Sequence, residues 1–252
     1  MTETLADLMG WTADEFHPHI KYYYNLQQHT DAWLQARCGI ITASVMKNLL
    51  KKKTDKKSGE VSYSVPDTDT TKAYLFELAA QRINNDIGDN IQTYDMQRGV
   101  VDEVDAFRIY SENYEPLKTC GFITNDEHGV LLGYSPDGLT ALHDDGQQEA
   151  KSRKPKFQAE TLYYDEMPDD FEIQVQTGLI VTKRKWCDFI SYCGGMVMFR
   201  KRVEPDAYIQ DQIIMAAKKA DQQIDEIVEK VRANIEKYKF IPTEKRVEDI
   251  TA

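Results

Sequence analysis

Gly133-Tyr134-Ser135-Pro136-Asp137-Gly138-Leu139, followed by Glu149-Ala150-Lys151-Ser152, is the stretch on which the reading of this chain turns. Pro136 and Gly138 are turn residues, the first fixing φ and the second relaxing it. They sit between two strand-like runs, Val130–Tyr134 and Gln147–Lys151. Glu149 and Lys151 are two apart on the second run, so both side chains leave the same face. If the two runs pair as a hairpin, Asp137, Glu149 and Lys151 converge at one sheet edge. That geometry suits phosphodiester cleavage. Hard carboxylate oxygens hold Mg²⁺, the metal polarises the phosphate and acidifies a water, and the lysine orients or deprotonates that water. Its ammonium also offsets charge developing on the phosphate oxygens. Taken alone, Asp-Gly in a turn and Glu-x-Lys on a strand occur on many solvated surfaces, so the neighbouring segments must decide.

Upstream, a helix is predicted over about Gly99–Tyr114 with Val100, Val104 and Phe107 on its inner face. Glu103 falls on that apolar stripe. A buried carboxylate without a partner is costly, so a metal, a cation or a structural salt bridge must accompany it. Downstream, a helix over Phe171–Thr182 carries Gln174 and Gln176 among Ile173, Val175 and Leu179. Each amide can reach a phosphate or the attacking water, or can bond to backbone.

The remaining sequence sets the frame. The 252 residues show no composition break, and 41% of them are hydrophobic, enough for one α/β or α+β domain with a sizeable core. The expected organisation is a single nuclease domain over 1–252, with an N-terminal helical extension over 1–30 and a helix and tail over 204–252. A net charge of −11 argues against a nucleic-acid coat protein but not against one basic cleft. Cys38, Cys120, Cys187 and Cys193 form no CxxC pair, which points to buried thiols in a reducing compartment. No basic-then-apolar leader opens the chain and no run of about 18 apolar residues occurs, so a cytoplasmic location is expected.

Residues 31–50 read as a helix, a turn at Gly39 and a second helix capped by Thr42 or Ser44. Residues 51–70, with five lysines in their first seven positions, read as a surface loop. A helix over Thr71–Asn84 has Tyr74, Leu75, Leu78, Ala79 and Ile83 inward. Thr119–Thr124 is strand-like, Lys185–Tyr192 and Met196–Val203 form a strand pair about Gly194-Gly195, and a long amphipathic helix covers Asp206–Lys237.

Five motifs in this order, WLQARCGIITAS (33–44), RGVVDEVDA (98–106), GYSPDGL, EAKS and IQVQTGLIVTKRKW (173–186), resemble those of the lambda exonuclease family, the YqaJ-type viral recombinases of the PD-(D/E)xK nuclease superfamily. The resemblance spans about Trp33 to Val203. It implies a restriction-endonuclease-like α/β core, a central mixed sheet flanked by helices. It implies that Asp137, Glu149 and the backbone carbonyl of Ala150 bind Mg²⁺ (with Mn²⁺ as substitute), that Lys151 serves the catalytic water, and that Glu103 and Gln174 complete the catalytic set. Arg37, Ser44 and Ser135, with Gln176 as a further candidate, are implied to hold the 5′-phosphate of the digested strand. A guanidinium forking onto phosphate oxygens beside a hydroxyl at a helix start suits that task. The implied activity is 5′→3′ digestion of linear double-stranded DNA to mononucleotides, leaving 3′ single strands for annealing. The implied partners are double-stranded DNA ends, two further copies in a homotrimeric ring, and a single-strand annealing protein. In such a ring Lys47, Lys51, Lys52, Lys53, Arg153, Lys154 and Lys156 are expected to line the channel mouth. The competing readings are an endonuclease of restriction or repair type and a catalytically silent recombination scaffold.

Overall fold

The computed structural model describes residues 12–13, 17–88, 94–238 and 240–244. Residues 1–11 and 14–16 of the expected N-terminal helical extension lie outside the described residues. What is described of it includes a strand, Ile20–Tyr23 (β2), paired with Thr12–Ala13 (β1). The alternation Ile20 in, Lys21 out, Tyr22 in explains why this run is a strand rather than the helix expected.

Among the described residues two five-stranded sheets form the frame, where one central sheet was expected. The first joins β1 and β2 to Phe122–Asn125 (β7), Leu132–Tyr134 (β8) and Ile41–Thr42 (β3), in the order β1-β2-β7-β8-β3. The second is mixed and contains Leu117–Lys118 (β6), Gly138–Thr140 (β9), Gly146–Ser152 (β10), Trp186–Tyr192 (β11) and Phe199–Val203 (β12), in the order β12-β11-β10-β9-β6. The expected hairpin is therefore formed by β9, not β8, against β10: Gln148 faces Gly138 and Gln147 faces Leu139 in antiparallel register. The chain changes sheets at Ser135-Pro136-Asp137, because Pro136 cannot donate to a ladder and ends β8.

Among the described residues six helices cover the sheets: Asp31–Ala36 (α1), Asp69–Asn84 (α2), Tyr94–Asn113 (α3), Pro155–Tyr164 (α4), Glu172–Thr182 (α5) and Ala207–Lys237 (α6). In α5, every residue from Val175 to Thr182 is buried. A Cβ on Gly178 would lie 2.9 Å from the Tyr134 ring, so only glycine lets α5 approach β8 this closely. Asp206 caps α6 by accepting the Ile209 amide at 3.0 Å, and Ile209, Ile213, Ala217, Ala220 and Ile224 are buried, as the stripe predicts. The stripe outlasts the core: Ile235 is 48% exposed. No described helix is long and apolar enough to cross a membrane.

Several expectations need correction. The lysine-rich segment is a β-hairpin, Lys51–Thr54 (β4) against Val61–Ser64 (β5), rather than a loop. Residues 43–48 form a 3-10 helix after β3. The inner face of α3 is Ala106 and Tyr110, packed with Ala150 and Ile190; Val104 is 67% exposed, because Val100, Val104 and Phe107 line an open cavity instead. Ile83 is 37% exposed, at the end of α2 where the core gives out. Helix α4 was not foreseen at all.

Candidate active site

Asp137 ends the crossover between sheets, and its Oδ2 accepts the backbone N–H of Ala150 at 2.6 Å. The next residues on that strand supply the rest. Lys151 Nζ donates to Glu149 Oε1 at 2.6 Å, as their shared face requires. Gln174 Nε2, from the first turn of α5, donates to the same oxygen. The Tyr134 hydroxyl donates to Glu149 Oε2 at 2.7 Å. Glu149 is 1% exposed and Tyr134 equally buried.

The electrostatics mark the site as short of positive charge. Burial, then the neighbouring Glu149 and Glu103 carboxylates, push Asp137 well above the usual carboxylate range. Glu103 is pushed up to about 7, chiefly by burial, with Lys151 pulling the other way and Glu149 and Asp102 adding to the rise. Burial would lower Lys151, but Glu149 and Asp137 outweigh it and hold the amine protonated. Three acids share one ammonium, an arrangement that a divalent cation would complete.

The donor set fits such a cation in a limited way. Among the described residues no three His, Cys, Asp or Glu side chains form a metal cluster by themselves. Glu149 Oε1 already accepts two donors, whereas Glu149 Oε2 accepts one and Asp137 Oδ2 is committed to Ala150. Lone pairs therefore remain on Glu149 Oε2 and on Asp137 Oδ1, so a cation here takes two side-chain carboxylates and needs backbone carbonyl or water oxygens beside them.

A second cluster adjoins the first through Pro136. Arg37 Nη1 donates to Ser135 Oγ at 3.2 Å, and Nη2 lies 3.4 Å from Ser44 Oγ and 3.5 Å from Thr42 Oγ1. The guanidinium stacks 4.1 Å over the Trp33 ring, and Trp33 Nε1 donates to Ser135 Oγ at 2.9 Å. Burial lowers Arg37 to about 10. Its polar partners are hydroxyls, and among the described residues it forms no ion pair. A cation withdrawn from water without a carboxylate would be completed by an anion.

The structure thus brings together Asp137, Glu149, Lys151 and Gln174 in one group and Arg37, Ser44 and Ser135 in another. Glu103 borders the first: it and Asp137 line a cavity of about 510 Å³ with Val100, Val104 and Phe107. Gln176 belongs to neither. Its Nε2 donates to the Glu204 carbonyl at 2.9 Å, and its Oε1 accepts from the Asp206 amide at 3.0 Å and from Gln210. Two helical positions from Gln174 is about 200° around the axis, so one glutamine faces the acids and the other anchors α6. Lys52 is also corrected: it is tied to Asp169 at 2.9 Å and Glu172 at 3.1 Å, not left facing a channel. Sequence reasoning missed Tyr134 and Trp33. Their signals were present, a tyrosine inside GYSPDGL and a tryptophan one helical turn before Arg37.

The YqaJ-like viral recombinase domain model matches residues 32–185. The chain is similar to the alkaline exonuclease LHK-Exo of Laribacter hongkongensis, at 25% identity and TM-score 0.68 over 82% of this chain and 99% of that one. A structure of LHK-Exo in complex with dAMP aligns with 25% identity and TM-score 0.67 over 82% and 99%. A phage related exonuclease from Haemophilus somnus 129PT shares the fold, at 11% identity and TM-score 0.54 over 76% of this chain and 96% of that one. No curated protein matches. With well over half its length covered by that domain, and with the alkaline exonuclease fold around its acids, the chain belongs to the YqaJ-like viral recombinase family.

Proposed function

We propose that this nuclease is a Mg²⁺-dependent 5′→3′ exonuclease that digests the 5′-phosphorylated strand of linear double-stranded DNA to mononucleotides. The observation that carries the reading is the adjacency of the two clusters. An arginine paired, among the described residues, with hydroxyls stands beside Ser135, two residues from an acid in the Asp137–Glu149–Lys151 group. Arg37, Ser44 and Ser135 bind the terminal phosphate, and the next phosphodiester falls at the acids. Asp137, Glu149 and the Ala150 carbonyl would hold a divalent cation, which would supply Lewis-acid polarisation of the phosphate and an acidified water.

Lys151, kept protonated by Glu149, orients the attacking water and donates to the phosphate as negative charge grows. Gln174 holds Glu149 in place from α5. Water adds to phosphorus, the P–O3′ bond breaks, and the leaving O3′ takes a proton. The phosphate stays on the shortened strand, so each cut recreates a ligand for Arg37. The 3′ strand left behind is the substrate for a single-strand annealing protein, and a homotrimeric ring around the duplex would keep the enzyme on its track.

The test is digestion of linear duplexes bearing 5′-phosphate or 5′-hydroxyl ends, with Mg²⁺, Mn²⁺ or EDTA. Mononucleotides released faster from phosphorylated ends, only with metal, are expected. Cutting of closed circles would point to an endonuclease, and no hydrolysis under any condition to a silent scaffold. Light scattering that finds only a monomer would remove the ring.

A further inference from the structure

The tight turn after Arg37 is gripped by α2 at both backbone groups of one residue. Gln81 Oε1 accepts the Gly39 N–H at 2.8 Å, and Arg82 Nε donates to the Gly39 carbonyl at 3.0 Å. Gly39 has φ +71°, and a Cβ there would sit 2.8 Å from Arg82 Cγ, so turn and arginine are fitted to each other. The turn also closes α1: Arg37 N–H donates to Leu34 and Ile40 N–H to Arg37. Gln35 on α1 reaches the Asn85 carbonyl at 3.1 Å.

Arg82 is itself held at its far end. Nη2 donates to Asp221 Oδ1 at 2.6 Å and Nη1 to Asp225 Oδ1 at 2.8 Å, both carboxylates one turn apart on α6. Three of its five N–H groups are thereby assigned, and the planar fork fixes the direction of the Nε–H bond onto Gly39. A clamp of this kind is more than a surface ion pair, because its third arm ends on the backbone two residues from a ligand.

We infer that Arg82 is a positioning residue for Arg37: braced by Asp221 and Asp225, it sets the Gly39 turn and so aims the Arg37 guanidinium at the 5′-terminal phosphate. This rests on the proposed reading of Arg37 as the phosphate ligand. Arg82 touches no substrate atom. Its loss lets the turn relax and weakens phosphate recognition, while the acids on β10 stay in place.

The experiment measures kcat/KM with Mg²⁺ on linear duplexes with 5′-phosphate and with 5′-hydroxyl ends, for wild type, Arg82→Gln, Arg37→Ala and the double variant. Arg82→Gln is expected to cut the phosphate preference about tenfold, mostly through KM, leaving the hydroxyl-end rate unchanged. Adding it to Arg37→Ala is expected to change the preference no further, since both act on one interaction. An equal fall for both ends, or no change in the ratio, overturns the inference. If Arg82→Gln does not fold, Asp221→Asn keeps the Gly39 bond and frees its brace; a smaller fall in the same ratio supports the inference, and an unchanged ratio overturns it. Arg37→Ala separates the two claims: a preference that survives it removes the Arg37 reading itself.

Discussion

The Asp137 carboxylate is bonded to the Ala150 amide at 2.6 Å, midway between Glu149 and Lys151 on β10. An acid delivered by one sheet is thus pinned to the backbone of the other. Asparagine at 137 keeps an oxygen for that amide but removes the charge that burial opposes. Asp137→Asn is expected to fold at least as stably as wild type in EDTA, while nuclease activity falls by at least ~10²-fold. Thermal melts and Mg²⁺-dependent digestion of a labelled duplex check both halves. Retained activity would show that the acid has been misassigned.

The pH dependence follows from Glu103. Its folded pKa of about 7 lies above the unfolded value of 4.5, so the folded state binds the extra proton. That stabilisation is complete below pH 4.5 and is lost as pH rises through about 7. A shift of this size corresponds to roughly 3 kcal/mol. In EDTA, melting temperature should therefore fall more steeply between pH 5 and 8 in wild type than in Glu103→Gln, since glutamine carries no titrating proton. Added Mg²⁺ is expected to flatten the wild-type slope. Parallel pH profiles for the two proteins would contradict this account.

Gln174 and Gln176 are expected to behave oppositely. Gln174→Ala removes a donor to Glu149 and should lower kcat with little loss of stability. Gln176→Ala strands the Asp206 amide and the Glu204 carbonyl, costing about 1–3 kcal/mol, with kcat of the folded enzyme unchanged. Urea unfolding and steady-state rates on the same preparations distinguish the two.

Lys151→Ala leaves Glu149 buried with only Gln174 and Tyr134 as donors. Breaking such a pair costs on the order of 3 kcal/mol, and activity should fall ~10²-fold or more. Mg²⁺ is expected to restore much of the stability but not the rate. A variant that is equally stable with and without Mg²⁺ would argue that no cation sits against Glu149.

Legibility of the sequence varied with the range of the interactions. Glu149 and Lys151 could be placed on one face because a strand has period two, and the structure puts them 2.6 Å apart. The α6 stripe and its Asp206 cap are equally local. Which sheet received each strand was not legible, since β8 and β9 differ only in what lies beside them after folding. Periodicity alone did not separate Gln174 from Gln176, because the direction of α5 is set by Gly178 packing on Tyr134; the motif resemblance favoured Gln174. Lysine content suggested a loop at 51–57, yet Lys52 and Tyr63 are fastened to Glu172, a partner more than a hundred positions away. The Arg37 group was visible only through the motif resemblance; its hydroxyl partners meet through tertiary packing.

Where β8 ends and β9 begins, only a buried proline separates Ser135 from Asp137. Two residues reach at most about 7 Å, and proline removes most of the freedom to vary that reach. On the proposed reading, the interval between the grasp on a strand's end and the point of scission is a covalent ruler. An inserted residue here should alter the length of the released product before it alters the chemistry of release.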